Sequence, residues 1–255
     1  MVKPLRILFL ENTIQVTSNF NSVCQCISTL VNFICTYILI HTYSSILYIY
    51  FFSGGRLPVT WYQADYVDKL PLTSMQLRPD DSNGYPGRTY KFFDGPTVFP
   101  FGYGLSYTKF NYTLKAATNR VQIKLTKFQH CRDLPYKNGT FKPSCPAIAI
   151  DDLRCNKKFK LAVEVKNVGN RDGDEVVLVY SQPPVGIVGT HIKNLIAFQK
   201  VFVAAGTSKT IQFAINTCQG LGIVDSNGNA LLPSGAHTII VGDGAIVFPI
   251  QLTYR

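Results

Sequence analysis

The chain has 255 residues, of which 46% are hydrophobic and 13% aromatic, and its formal net charge is +10. This is the composition of a globular protein with one or two buried cores, and the abundance of Phe and Tyr beside scarce Glu and Met favours β structure. The Lys and Arg residues do not cluster with interleaved aromatic residues, which argues against nucleic-acid binding.

Residues 1–53 differ in composition from the rest of the chain: Ile, Phe and Tyr account for 17 of them. The segment 31–52 carries no formal charge and is long enough to cross a bilayer as a helix. Polar residues interrupt it, however, and no small-residue cleavage site of a secretory signal comes after it. Three interpretations stay open: a gene-model artefact or truncation, a membrane anchor, or a soluble segment.

Residues 54–106 are crowded with Gly, Pro, Tyr and Phe. Gly and Pro interrupt both helices and strands while aromatic rings supply apolar area, so we predict an ordered, aromatic-packed connector. Within it, Asp80 and Asp81 precede Ser82-Asn83-Gly84, a pattern typical of a turn.

From Tyr107 onward, apolar and polar residues alternate with period two, which predicts half-buried antiparallel strands. In Lys158–Lys166 the apolar residues Phe159, Leu161, Val163 and Val165 share one face. Val121–Phe128 and Thr210–Asn216 repeat the alternation, and three segments are predicted as more fully buried strands: Glu175–Tyr180, Ala197–Val203 and His237–Val241.

Ala245–Thr253 is the last predicted strand, and Pro249 within it indicates an edge or a bulge. Gly-containing turn signals separate the strands. About seven short strands at this spacing predict a β-sandwich.

Several motifs carry a resemblance to a known family. They are GGRLPVTW (Gly54–Trp61), YPGRTYKFFD (Tyr85–Asp94), FPFGYGLSYTKF (Phe99–Phe110), DGDEVVLVYSQPP (Asp172–Pro184), HIKNLIAFQKVFVAAGTSKTIQFAI (His191–Ile215) and LPSGAHTIIVGDG (Leu232–Gly244). Together they resemble the family 3 glycoside hydrolases, in particular the plant β-xylosidase / α-arabinofuranosidase branch.

The resemblance divides the chain into three parts. Residues 107–255 resemble the fibronectin-III-like (immunoglobulin-like) β-sandwich of the family, and residues 54–106 resemble the remnant and exit connector of its α/β sandwich domain. Residues 1–53 have no counterpart in the resemblance. The predicted fold class is therefore mainly β, with an aromatic-rich connector and an unrelated apolar N-terminal segment.

The activity that the resemblance implies is retaining exo-hydrolysis of β-xylosyl and α-arabinosyl residues from xylan and arabinoxylan, outside the cell in the plant wall. A retaining mechanism uses two carboxyl groups about 5–5.5 Å apart. In the family the nucleophile lies on a (β/α)8 barrel and the acid/base on the α/β domain; the resemblance includes no part of the barrel and only the last strand and exit of the α/β domain. We therefore predict no catalytic residue in this chain, and as an alternative function a docking β-sandwich for polysaccharide or protein, membrane-tethered if 31–52 is an anchor.

The remaining acidic residues are interpreted as structural. Glu164 falls on the polar face of a strand, and Asp172, Asp174 and Glu175 are interpreted as a solvated turn. The connector carboxylates Asp65, Asp68 and Asp94 are expected to make structural hydrogen bonds. The connector rings that could stack on a sugar are expected to pack in a core instead; they are Trp61, Tyr62, Tyr85 and Tyr90.

Of the seven cysteines, none forms a C-x-x-C pair and no His lies at ligand spacing, so we expect no metal site and no cofactor. Cys131 and Cys145 bracket an irregular loop, while Cys155 and Cys218 flank predicted strands. Four cysteines allow three pairings; we expect Cys131–Cys145 and Cys155–Cys218, with four reduced thiols as the alternative.

Two further features concern the cellular environment of the protein and its partners. N-x-T sequons at Asn111 and Asn138 favour a secretory environment. Residues 107–160 contain twelve Lys or Arg and three Asp. This excess is interpreted as solvated strand faces, with attraction to an acidic partner such as pectin as the alternative.

Overall fold

The computed structural model describes residues 54–69 and 73–255. The candidate membrane span 31–52 and the cysteines Cys24, Cys26 and Cys35 lie outside these residues. Across the described residues, every helix is too short or too polar to cross a bilayer.

Short strands dominate the described part of the chain. In chain order they are β1 (Trp61–Tyr62), β2 (Thr97–Phe99), β3 (Phe110–Ala117), β4 (Arg120–Ile123), β5 (Cys131–Arg132), β6 (Ala147–Ala149), β7 (Lys158–Asn167), β8 (Gly173–Gln182), β9 (Asn194–Val203), β10 (Ser208–Asn216), β11 (Ile223–Val224), β12 (Ala230–Pro233), β13 (Gly235–Val241) and β14 (Ile246–Tyr254). The helices are α1 (Thr89–Phe92) and α2 (Thr217–Leu221), with 3-10 turns at Ala64–Asp68 and Ile150–Asp152.

Two sheets form the predicted sandwich. One has the order β10-β7-β3 and the other the order β4-β14-β13-β8-β9. Neighbouring strands are antiparallel except β14 and β4, which are parallel. The mainly β, fibronectin-III-like class predicted from the sequence is confirmed.

The core lies between these sheets because the apolar residues of each strand alternate onto one face. On β7, Phe159, Val163 and Val165 are fully buried. From the opposite sheet, Val177 and Val179 of β8 face the same cluster. On β7 the residues of the other face include the polar Lys160, Glu164 and Lys166, whereas on β8 the intervening Leu178 is also buried.

The connector covers part of the outer face of the five-stranded sheet. Gly102 approaches Leu178 and Tyr180 so closely that a β-carbon in its place would lie 2.8 Å from Leu178 and 2.9 Å from the Tyr180 hydroxyl. The ring of Phe101 packs edge-on to Tyr180 at 6.5 Å between centroids. Because of this cover β8 is buried on both faces, as the run Glu175–Tyr180 predicts.

A smaller sheet has the order β11-β12-β6-β5, and its strand β12 is followed in the chain by β13 of the sandwich. Its own cluster is built from Leu134, Ala147, Ile187, Ile223 and Leu231. Its strands are two to four residues long, which is too short for a periodic pattern to predict them.

Two strand predictions are wrong in detail. Ala197–Val203 is not fully buried: as part of the edge strand β9 it leaves Phe198 69% exposed. The strand predicted at Val121–Phe128 ends at Ile123, and the chain then leaves the sheet.

Pro249 lies in a part of β14 that is paired on one side only. It pairs with Thr238 of β13 on one side. On the other side β4 reaches only Gln251–Tyr254, so the proline faces an open edge and its missing N–H is not needed there.

Candidate functional site

Arg56 forms a charged network where the connector meets the sandwich. Its guanidinium donates to the Glu175 carboxylate, to Asp243 Oδ2 at 3.1 Å and to the Gly102 carbonyl at 3.1 Å. The Tyr112 hydroxyl donates to the same oxygen of Glu175 at 2.5 Å. Strands β3 and β8 and the connector thus share one buried carboxylate.

Glycines allow the connector to approach this closely. A β-carbon at Gly54 would lie 2.4 Å from the carbonyl oxygen of Asp174, and one at Gly104 would lie 2.5 Å from that of Gly55. The two ends of the connector also bind each other, because Leu57 donates its N–H to the carbonyl of Tyr103 at 2.8 Å. Arg56 is held over β8 as a result.

The electrostatics of the network favour a charged Arg56. Burial opposes the charge, but the charge and hydrogen bond of Glu175, followed by the charge of Asp243, outweigh it and raise the pKa of Arg56. Burial and then the hydrogen bond to Glu175 raise the pKa of Tyr112. The phenol therefore stays protonated and donates to the carboxylate.

The interpretation of Glu175 as part of a solvated turn is wrong. Glu175 is 4% exposed and lies within β8. Asp174 does not fit it either, because it lies within β8, where its side chain is 17% exposed and binds Lys200 at 2.8 Å. Asp172 does fit: it is exposed and accepts the Ala205 N–H at 2.8 Å. The connector buries Glu175, and local sequence does not show that contact.

The other carboxylates singled out from the sequence form an ion pair or a turn, or are exposed to solvent. Glu164 is half-buried and pairs with Lys115 at 3.0 Å. The carboxylates of Asp65, Asp68 and Asp94 are exposed, and none of them accepts a hydrogen bond from a described residue, so the structural role expected of these side chains is not found there. Asp80 does organise the predicted turn by accepting the Ser82 N–H at 3.0 Å.

The connector rings pack on one another. Tyr85 is 1% exposed, and Tyr62 stacks on Tyr66 at 4.0 Å between centroids. Tyr90 stacks on Phe101 at 4.1 Å. Trp61 packs edge-on to Phe99 but remains 52% exposed.

Two disulfides close loops in the sandwich. Cys131 and Cys145 are joined with their Cα atoms 5.2 Å apart, and Cys155 and Cys218 with theirs 5.7 Å apart. Both Cα separations fall within the usual range for a disulfide. Among the described residues, no group of three or more His, Cys, Asp and Glu is arranged to hold a metal ion.

Two histidines are enclosed in the sandwich half of the structure. The Nε2 of His237 donates to the Pro233 carbonyl at 2.9 Å, and its ring is fully buried. Burial lowers the pKa of His237 to about 4, and burial followed by the charge of Lys91 lowers the pKa of His191 to about 4. Both rings are therefore neutral at physiological pH, and neither has a described hydroxyl or thiol partner that would make a nucleophile.

Two large surface cavities lie beside loops of the sandwich. One, of about 500 Å³, lies between the loop that carries Phe141 and the ends of β13 and β14. The other, of about 660 Å³, lies between the chain after β4 and the segment 152–157. Among the lining residues of the two cavities, Asp152 is the one carboxylate, so neither contains the pair that retaining hydrolysis uses.

Comparisons with known proteins agree with the fold. Residues 175–245 match the family model of the fibronectin type III-like domain. A solved GH3 exo-β-xylosidase, in complex with a xylobiose aziridine activity-based probe, aligns with 78% of this chain at a TM-score of 0.61 and 25% identity. The alignment covers 24% of that structure.

Curated relatives point to the same group. The chain is 43% identical over 195 residues to β-D-xylosidase 1 of Arabidopsis thaliana, and 36% identical over 201 residues to β-xylosidase/α-L-arabinofuranosidase 2 of Medicago sativa subsp. varia. These matches cover 74% and 78% of this chain but 24% and 25% of the relatives, so the chain spans about a quarter of their length. The resemblance seen in the motifs is confirmed: the chain belongs to the family 3 glycoside hydrolases, in the β-xylosidase branch, and carries their fibronectin type III-like domain.

Proposed function

We propose that this chain is the fibronectin-III-like region of a retaining exo-glycosidase that removes β-xylosyl and α-arabinosyl residues from xylan and arabinoxylan in the plant cell wall. The observation that carries the proposal is the 43% identity to β-D-xylosidase 1 over 195 residues. It favours an enzyme component over an independent docking module.

Within that enzyme, the described residues support the reaction and do not perform it. A retaining glycosidase places two carboxyl groups about 5–5.5 Å apart at the scissile bond. Here Glu175 is paired with Arg56 and accepts a hydrogen bond from Tyr112, and Glu164 is paired with Lys115 on a strand face. The connector and sandwich form one packed unit joined by the Arg56 network, which suits a region that braces catalytic domains.

A chimaera tests this role. When the matched region of Arabidopsis β-D-xylosidase 1 is replaced by residues 54–255 of this chain, we expect turnover of 4-nitrophenyl β-D-xylopyranoside, because an equivalent region supports the same fold. The 255-residue chain alone is expected to be inactive on that substrate and on the α-L-arabinofuranoside. The parent enzyme with the region deleted is the control.

Two outcomes would contradict the proposal. A soluble, folded chimaera with no more turnover than the deleted enzyme would mean that the region does not serve a β-xylosidase. Turnover by the chain alone, lost in Asp152→Asn or Glu164→Gln, would mean that it performs the hydrolysis itself.

We also propose that the chain is secreted and glycosylated at Asn111 and Asn138. Asn111 is exposed on β3 and Asn138 lies in an exposed turn, so both are accessible to modification. Enzymatic removal of N-glycans from protein secreted by plant cells is expected to lower its mass by two glycans. Asn111→Gln and Asn138→Gln should each remove one glycan. Asn119→Gln, which lies outside a sequon, should remove neither glycan. An unchanged mass after treatment would count against secretion through the glycosylating pathway.

A further inference from the structure

Cationic side chains line the cavity of about 660 Å³, and neither the proposed hydrolysis nor the packing of the core accounts for them. One wall is the chain after β4, with Lys124, Phe128 and Gln129; the other is the segment with Asp152, Arg154 and Lys157. Thr217 and the Cys155–Cys218 disulfide also line it. We call this cavity the basic groove. Its volume is in the range of sites that enclose a small ligand.

Cations outnumber acids in the basic groove by three to one. Lys124, Arg154 and Lys157 face a single carboxylate, that of Asp152. None of these three cations forms a salt bridge with a described carboxylate; the Lys157 ammonium instead donates to the Gln122 carbonyl. Such an arrangement attracts an anion, and a guanidinium in particular suits the two oxygens of a carboxylate.

Two further side chains indicate a ligand that is more than a simple anion. Phe128 is 75% exposed beside the groove, although Lys127 lies 5.1 Å from its centroid. The Thr217 hydroxyl is buried, in a residue that is 1% exposed, without a hydrogen-bond partner among the described residues. A buried hydroxyl without a partner costs free energy. Because its oxygen has almost no accessible surface, a ligand hydroxyl reaches it only after the side chains around it shift.

We propose that the basic groove binds a carboxylated oligosaccharide. The sugar part of this proposal rests on the proposed glycosidase function, and the carboxylate part rests on the cations of the groove. A sugar acid offers a carboxylate to Arg154 and Lys124, an apolar ring face to Phe128 and hydroxyls to Thr217. A neutral xylan chain would leave the cations without a partner.

Calorimetric titration of the 255-residue chain tests the proposal with three probes: tetragalacturonic acid, glucuronic-acid-substituted xylotriose and unsubstituted xylotetraose. We expect the two acidic probes to bind and xylotetraose to bind at least about tenfold more weakly, because charge-assisted hydrogen bonds are lost. Raising the salt concentration should weaken the acidic probes.

Matched variants distinguish binding in the basic groove from attraction to the net positive charge of the chain. Arg154→Gln with Lys124→Gln should weaken the acidic probes about tenfold or more, and Phe128→Ala should weaken them as well. Lys109→Gln with Lys137→Gln removes the same charge from positions outside the groove and should leave binding unchanged. Circular dichroism of each variant checks that it is folded.

Three results would overturn the proposal. They are acidic probes that bind no better than xylotetraose, equal weakening of binding in the two double variants, and full competition by inorganic phosphate while Phe128→Ala has no effect. None of these depends on hydrolysis. An inactive chimaera with intact acid binding would refute the proposed glycosidase role alone, and an active chimaera without acid binding would refute the basic groove alone.

Discussion

Glu175→Gln is expected to lower the free energy of unfolding by about 3 kcal/mol, at the lower end of the range for breaking a buried ion pair. The carboxylate is 5% exposed and accepts from both Arg56 and Tyr112. The neutral amide keeps the shape of the side chain but leaves the Arg56 charge, 17% exposed, without its buried partner. Arg56 keeps Asp243 and the Gly102 carbonyl, which limits the loss.

The control is the same substitution at an exposed pair. Glu164→Gln removes a carboxylate that binds Lys115, whose side chain is 47% exposed, and surface pairs contribute less than about 1 kcal/mol. Urea unfolding of both variants and the original chain measures the difference. Equal losses below about 1 kcal/mol would show that the Arg56 network does not hold the connector to the sandwich.

The network also marks the limit of what the sequence predicts. Arg56 and Glu175 are 119 residues apart. The local pattern predicts only a connector around Arg56 and a solvated turn around Glu175. Glu175 comes just after Asp172 and Asp174, and acids grouped near a glycine are typical of a solvated turn. Its burial depends on where the connector folds back, which is a tertiary effect that no local pattern encodes.

The buried faces of the strands, unlike this network, follow mostly from local sequence. Residues of β7 alternate so regularly that the sequence alone identifies its buried face, and the paired strand β10 obeys the same rule. The prediction fails for β9 because a run of apolar residues is compatible with a central strand and with an edge. Phe198 is apolar but exposed because β9 lies at the edge of its sheet, and composition does not reveal that position.

The basic groove is only partly visible in the sequence. Residues 107–160 contain twelve Lys or Arg and three Asp, but from the sequence alone this excess is interpreted as solvated strand faces, with an acidic partner as the alternative. The groove depends on bringing Thr217 beside the segment that begins at Asp152. That proximity follows from the pairing of β10 with β7, which sets Asn216 opposite Lys158, and the Cys155–Cys218 disulfide joins the same two segments. The cysteine positions favour this disulfide, but the groove beside it does not follow from them.

The Cys155–Cys218 disulfide is expected to contribute more stability than Cys131–Cys145. It closes a loop with a sequence separation of 63, against 14 for the other. In the chain-entropy model these loops correspond to about 4 and about 3 kcal/mol of restricted unfolded-state freedom. It also joins the segment before β7 to α2, and Cys218 is 3% exposed in the main core.

Two double variants test this order: Cys155→Ala with Cys218→Ala, and Cys131→Ala with Cys145→Ala. We expect the first to lower the free energy of unfolding by about 4 kcal/mol and the second by about 3 kcal/mol, measured by denaturant unfolding of protein secreted from plant cells. Thiol labelling of the original protein should modify none of these four cysteines before reduction. If all four are labelled, or if the short-loop variant loses more stability than the long-loop variant, then loop length does not govern how these bonds stabilise the sandwich.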